Sequence, residues 1–147
     1  MNLSPHFSIE EMTLTTHREY LARNRAIGGR EVEALTALCV TLLEPIRLHF
    51  GAPVFVHSGY RCPELNAAIH GSRTSQHMLG EAADIHVAGA TLSDVWTWVW
   101  RDSGLPFGQA ILEGHVAGDP SWLHISLGEP WRPRERSRQH FVVRDAP

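Results

Sequence analysis

The sequence predicts an α+β fold: a small, mostly antiparallel sheet flanked by helices. Two observations lead there. Helical periods dominate the first half of the chain, and the second half is cut into short β-branched and aromatic runs. The runs lie near hairpin spacing rather than alternating with long helices, which separates α+β from a parallel α/β sheet. A chain of 147 residues with 43% hydrophobic content can bury one core. We read it as a single domain over 1–147, with an N-terminal extension over 1–30 and a basic C-terminal segment over 129–147.

The elements follow in order. Ser8-Ile9-Glu10-Glu11 is a capping box and predicts a short helix. Residues 13–30 carry no sustained period and read as a loop or short helical turns over the core. From Arg30 to His49, Val32, Leu35, Leu38, Cys39, Leu42, Leu43 and Ile46 recur at helical spacing. Pro45 lacks an N–H and is expected to kink the last turn, and Gly51 and Pro53 stop the helix. Val54-Phe55-Val56 is a short strand. Pro63 opens a helix that Gly71 is placed to end. Residues 71–80 read as a Gly, Ser and Thr loop.

Ala82 to Val87 is a strand, with Ala82, Asp84 and His86 on one face and Ala83, Ile85 and Val87 on the other. Thr91 caps a helix that buries Val95, Trp96, Val99 and Trp100 and leaves Trp98 more exposed. Gln109 to Glu113 is a strand, residues 114–121 turn, and Trp122 to Leu127 returns as its hairpin partner.

Composition excludes several classes. A formal charge of −3 argues against a nucleic-acid partner held by a basic field. The tail is the exception: Arg132, Arg134, Arg136, Arg138 and Arg144 make either a solvated segment or a contact to an anionic polymer. No apolar run approaches transmembrane length, and the N-terminus has no secretory signal pattern. The two cysteines, Cys39 and Cys62, form no thiolate metal spacing. Cys39 reads as a buried small hydrophobe and Cys62 as a turn residue. Oligomeric state is not legible.

The chemistry gathers between Ser58 and His86. His77 stands seven residues before Asp84, with Gly80, Ala82 and Ala83 between them, small enough to let backbone pass close to an ion. His124 follows forty residues later in Trp122-Leu123-His124-Ile125-Ser126. Two histidines and one carboxylate make an open zinc set with the fourth position left to water. Such a set activates the water for attack on a carbonyl. His86 competes for the site because it shares a face with Asp84.

These residues carry a resemblance. Ser58-Gly59-Tyr60-Arg61, Pro63-Glu64-Leu65-Asn66, Ser75-Gln76-His77, Gly80-Glu81-Ala82-Ala83-Asp84 and Trp122-Leu123-His124-Ile125-Ser126 resemble the zinc D-Ala-D-Ala carboxypeptidases and their peptidoglycan endopeptidase relatives. That group shares its fold and metal site with hedgehog signalling domains. Leu43-Glu44-Pro45-Ile46-Arg47 and Leu105-Pro106-Phe107 fit its phage and prophage members.

The resemblance implies Zn2+ held by His77, Asp84 and His124, and a peptidoglycan peptide as substrate. It makes Arg61 the arginine beside the substrate carbonyl or carboxylate, as a planar guanidinium suits. Ser75 and Gln76, beside His77, are expected to touch substrate with Arg61 and Trp122; Trp122 either walls the cleft or simply packs. It also implies a phage or prophage setting, with the chain cytoplasmic until release or carried in the particle.

Two positions depart from the family. Many relatives place a general-base glutamate three residues before the second histidine, where this chain has Ser121. We expect Glu113 to serve instead, with Asp119 as the alternative, or no carboxylate at all. Relatives also often carry an acid where Gly108 stands. A zinc-stabilised wall-binding or structural module without catalysis is therefore the competing function.

Overall fold

The computed structural model describes residues 1–116, 119–129, 131 and 138–143, with side chains for all of these except residues 115, 116, 119, 120 and 143. The chain opens with two short strands, β1 (Asn2–Ser4) and β2 (Phe7–Ser8), paired antiparallel. Ser8 then caps α1 (Ile9–Met12), its Oγ accepting the Glu11 N–H at 3.1 Å. A 3-10 turn (Arg18–Tyr20) and α2 (Leu21–Arg25) follow, in the stretch read as loop or short turns. The first thirty residues are less an extension than part of the core: Leu3, Phe7 and Met12 are buried in the main apolar cluster.

The long helical pattern forms α3 (Gly29–Leu38), a π-helical turn (Cys39–Leu43) and α4 (Glu44–Phe50) without a break. The helix continues through Pro45. The helix widens just before it, so that the Glu44 N–H donates to the Cys39 carbonyl. A π turn takes up the space the pyrrolidine ring would otherwise contest. Leu35, Leu38, Leu42, Leu43 and Ile46 are fully buried along this helix. Cys39 lies among them, and burial, with Glu11 and Glu44 beyond it, pushes its thiol up to about 12.

β3 (Val54–Ser58) leads to α5 (Pro63–Ala68). The left-handed residue that ends α5 is His70, not Gly71. Its N–H reaches the Ala67 carbonyl and the Gly71 N–H reaches the Asn66 carbonyl, a Schellman closure. The expected loop 71–80 contains a 3-10 turn (Gln76–Leu79). Next come β4 (Ala82–Val87) and α6 (Leu92–Thr97), which runs into a second π turn (Trp98–Asp102). Val95 and Val99 enter the core. Trp98 is half-buried like Trp96 and Trp100, contrary to expectation, because His49 stacks on it at 4.0 Å.

β5 (Phe107–Val116) and β6 (Asp119–Leu127) form the hairpin, with both strands longer than expected. Asp119 and Ser121 therefore lie in β6 rather than in an eight-residue turn. Gly108 sits where β5 slips register against β6; a Cβ there would meet the Leu127 carbonyl at 2.3 Å, so this backbone cannot take an acid.

β7 (Gln139–Val143) comes from the tail and pairs parallel with β5. Arg138 just before it donates to the Leu105 and Trp100 carbonyls and lies over the Phe107 ring, so it is tied to the fold while remaining exposed. The other four tail arginines lie outside the described residues.

The five-stranded sheet has the order β3-β4-β6-β5-β7, antiparallel except for the last pair. One face packs Ala83, Ile85, Leu112, Leu123 and Ile125 against the helices. The other carries Asp84, His86, His124, Ile111 and Glu113. Among the described residues no helix is long and apolar enough to cross a membrane.

Phe7 tests whether the N-terminal strands belong to the core. Phe7→Ala should lower unfolding free energy by about 3–5 kcal/mol, the cost of emptying a buried aromatic site. Urea denaturation measures it, and a loss below about 1 kcal/mol would make the segment peripheral.

Candidate metal centre

β4 and β6 pair so that Asp84 and His124 are directly opposite. Directly paired residues hold their Cβ atoms about 4.5–5.5 Å apart. The Asp84 Oδ1 lies 3.0 Å from His124 Nδ1 and 3.3 Å from His77 Nε2. One ligand atom from each of His77, Asp84 and His124 lies within 4.8 Å of the other two, and all three residues are buried. Two ligands on one tetrahedral zinc, each about 2.0–2.1 Å from it, stand about 3.3 Å apart. The donor set and its spacing fit a metal ion.

His77 comes from the 3-10 turn rather than from loop. Its ring is fixed from behind. Nδ1 donates to the Gly59 carbonyl at 2.7 Å, since a carbonyl can only accept, and this turns Nε2 toward Asp84. The turn that carries His77 is fixed too. Ser75 Oγ accepts the His77 N–H, and the Arg61 N–H donates to the His77 carbonyl at 3.1 Å. Gly80 closes the turn with φ +71°, and a Cβ there would meet the Glu31 carbonyl at 2.4 Å. Its smallness serves helix packing and a left-handed turn, not passage beside an ion. Ala82 and Ala83 are likewise fully buried.

Arg61 holds the other side of Asp84. Its Nη2 donates to Oδ2 at 3.2 Å and its Nε to Ser58 Oγ at 3.0 Å. Burial alone would raise the Asp84 carboxyl. The His77 charge and the hydrogen bonds from His124 and His77 outweigh that and hold it well below the ordinary carboxylate range.

Asn24 was missed in the sequence. It is fully buried, donates to the Thr13 and Tyr60 carbonyls, each at 2.9 Å, and accepts the Cys62 N–H at 2.7 Å. It thereby clamps the turn that presents Gly59 and Arg61. A lone asparagine in an aperiodic stretch gives no sign of this in the sequence.

The remaining candidates are distributed as follows. His86 lies outside the group: its Nδ1 is 2.6 Å from His57 Nε2 and its ring stacks on Phe55. Gln76 and Ser75 line the cleft over the metal group, as does Glu113. Glu113 stands opposite Trp122, whose Nε1 donates to its Oε2 at 2.6 Å. Ile111 is opposite His124, so Glu113 is two residues along the strand, about 7 Å. Asp119 pairs with Val116, five residues from His124, about 16 Å along the strand, and its side chain lies outside the described ones. Ser121 is the extra residue where the register slips between Trp122 and Pro120.

A family model described as peptidase M15 matches residues 5–116, most of the chain. The chain belongs to the peptidase M15 family. No curated protein matches it. The matched span contains His77, Asp84 and Glu113. His124 lies beyond it and joins the site through the β4–β6 register. Peptidases of this family are zinc-dependent, so membership supports a metallopeptidase acting on a peptide, and the His77–Asp84–His124 group can hold its metal.

Two outcomes follow for this M15 chain. Metal analysis should find one bound ion in the wild type and none in His77→Ala, Asp84→Ala or His124→Ala, with His86→Ala unchanged. Binding should weaken as pH falls, because both imidazoles must be neutral to ligate. Separately, Asn24→Ala should destabilise the fold, at about 1–3 kcal/mol for each buried partner left unpaired. Added metal should recover part of the lost melting temperature, because it binds only the folded chain.

Proposed function

We propose that this M15 chain is a zinc-dependent hydrolase of peptide bonds in bacterial peptidoglycan, in stem peptides or cross-bridges. One observation carries the reading: His77 Nε2, Asp84 Oδ1 and His124 Nδ1 converge at the edge of a cleft of about 740 Å³. The peptidoglycan substrate and the phage or prophage setting are supported by the sequence resemblance to D-Ala-D-Ala carboxypeptidase-like phage members.

Zinc in this group would supply Lewis-acid activation of a water at neutral pH. The chain's own residues do the rest. Arg61 keeps its guanidinium at Asp84 and offers its remaining N–H groups to the substrate carbonyl or carboxylate, where charge builds in the transition state. Ser58 Oγ holds the plane of that fork. Glu113 is the proton carrier. Trp122 fixes Oε2, which leaves Oε1 to take a proton from the attacking water and return it to the leaving amine. Gln76 and Ser75 would flank the substrate from the opposite wall. The competing module reading draws on Ser121, since the position usual for the base holds no carboxylate.

Zymography on purified peptidoglycan tests the proposal. Clearing should appear, vanish with chelator and return with zinc; stoichiometric zinc without clearing would favour the wall-binding module. Glu113→Gln should keep its zinc and lose on the order of a hundredfold or more in rate, the scale of general acid–base catalysis. Asp119→Asn should stay active. Arg61→Lys keeps charge but loses the planar fork, so turnover should fall with zinc content and melting temperature preserved.

A further inference from the structure

We infer that His57 and His86 form a second metal site, separate from the buried group. It suits a transition-metal ion that takes ligands at right angles, such as nickel(II) or copper(II). The two histidines stand side by side on neighbouring strands. His57 Nε2 lies 2.6 Å from His86 Nδ1, and the ring centroids are 4.7 Å apart.

The backbone brings them together. β3 pairs Phe55 with His86 and Val56 with Ile85, and then Ser58 with Asp84. His57 is the extra residue where the register slips, and such a bulge re-aims a side chain. It sets the His57 ring over the sheet face that carries His86. Phe55 stacks on the His86 ring at 4.8 Å and steadies it. His57 is exposed and His86 half-buried, so an ion from solvent reaches the pair.

Imidazole nitrogen suits nickel, copper and zinc. Two nitrogens, each about 2.0–2.1 Å from one ion, stand about 2.8–3.0 Å apart at a right angle and about 3.3 Å apart at the tetrahedral angle. The observed 2.6 Å lies nearer the right-angled spacing. Without metal, one ring donates its proton to the other. To ligate, that ring carries the proton on its outer nitrogen instead. Among the described residues no hydrogen bond holds either outer nitrogen, in contrast to His77, whose tautomer the Gly59 carbonyl fixes.

Neither ring belongs to the buried group of three. His86 is two residues from Asp84 along β4, about 7 Å, whereas two ions that share one reaction stand about 3.5–4 Å apart. Among the described residues no third histidine, cysteine or carboxylate joins the pair, so water fills the remaining positions. Two protein ligands hold an ion more loosely than three buried ones. This ion therefore exchanges and leaves on desalting, while the buried ion stays.

Calorimetry on the zinc-loaded full chain tests the site, with nickel(II) as the probe and zinc content measured before and after. The wild type should take up one nickel per chain with its zinc retained. His57→Ala and His86→Ala should each lose that binding step, with zinc content and circular dichroism unchanged. His57→Gln and His86→Gln take their place if an alanine variant does not fold. No nickel step in the wild type, a step that releases zinc, or a step that survives either substitution overturns the inference. Zinc(II) titrated in the same way should bind more weakly than nickel, and a tighter zinc step would overturn the right-angled geometry.

Discussion

Asp84 is a carboxylate almost wholly removed from water, and a buried carboxylate persists only when charge and hydrogen bonds surround it. Here three partners do so: Arg61 on Oδ2, and His77 and His124 on Oδ1. Each comes from a different element, so a single side chain ties the β3–α5 turn, the 3-10 turn and β6 to β4. The division of its two oxygens matters. One is occupied by the arginine, and the other faces two imidazole nitrogens at ligand spacing. An acid in this position commits the surrounding backbone to one arrangement.

The support behind Asp84 is mostly main chain. The Gly59 carbonyl sets the His77 tautomer, and the Arg61 N–H holds the turn on which His77 sits. The Tyr60 N–H reaches back to the Met12 carbonyl, and Asn24 binds the carbonyls on either side of that contact. The N-terminal thirty residues thus work as a brace for the site as well as a part of the core. They also form one wall of a cavity of about 210 Å³ that Arg61 and Asp84 line as well.

The open sheet face sets the remaining chemistry. Strand alternation carries Asp84, His124, Ile111 and Glu113 on one side and the core residues on the other. The Glu113–Trp122 contact spans the hairpin and fixes a carboxylate near the metal group without help from the loop beyond. β7 completes the far edge, with His140 stacked on Trp100 at 4.0 Å and its backbone on β5.

Sequence alone determined the α+β class, the span of β4 and the cap of α6 at Thr91, and its motifs, through their resemblance to a known family, picked out His77, Asp84 and His124. The elements are local features. Period two, period 3.6, caps and short motifs are properties of neighbouring residues. The Glu113–Trp122 pairing was also within reach, because hairpin register follows from two adjacent strands. What only the tertiary structure decided depends on contacts between distant segments. The parallel β7, the role of Asn24, the separation of His86 from the metal group and the core burial of the N-terminal strands all do. So does the π turn before Pro45, in a helix whose amphipathic face is packed on the core over its whole length. A sequence records which side chains a residue carries. Which distant carbonyl will face that side chain, as the Tyr60 carbonyl faces Asn24, is fixed only once the core has closed.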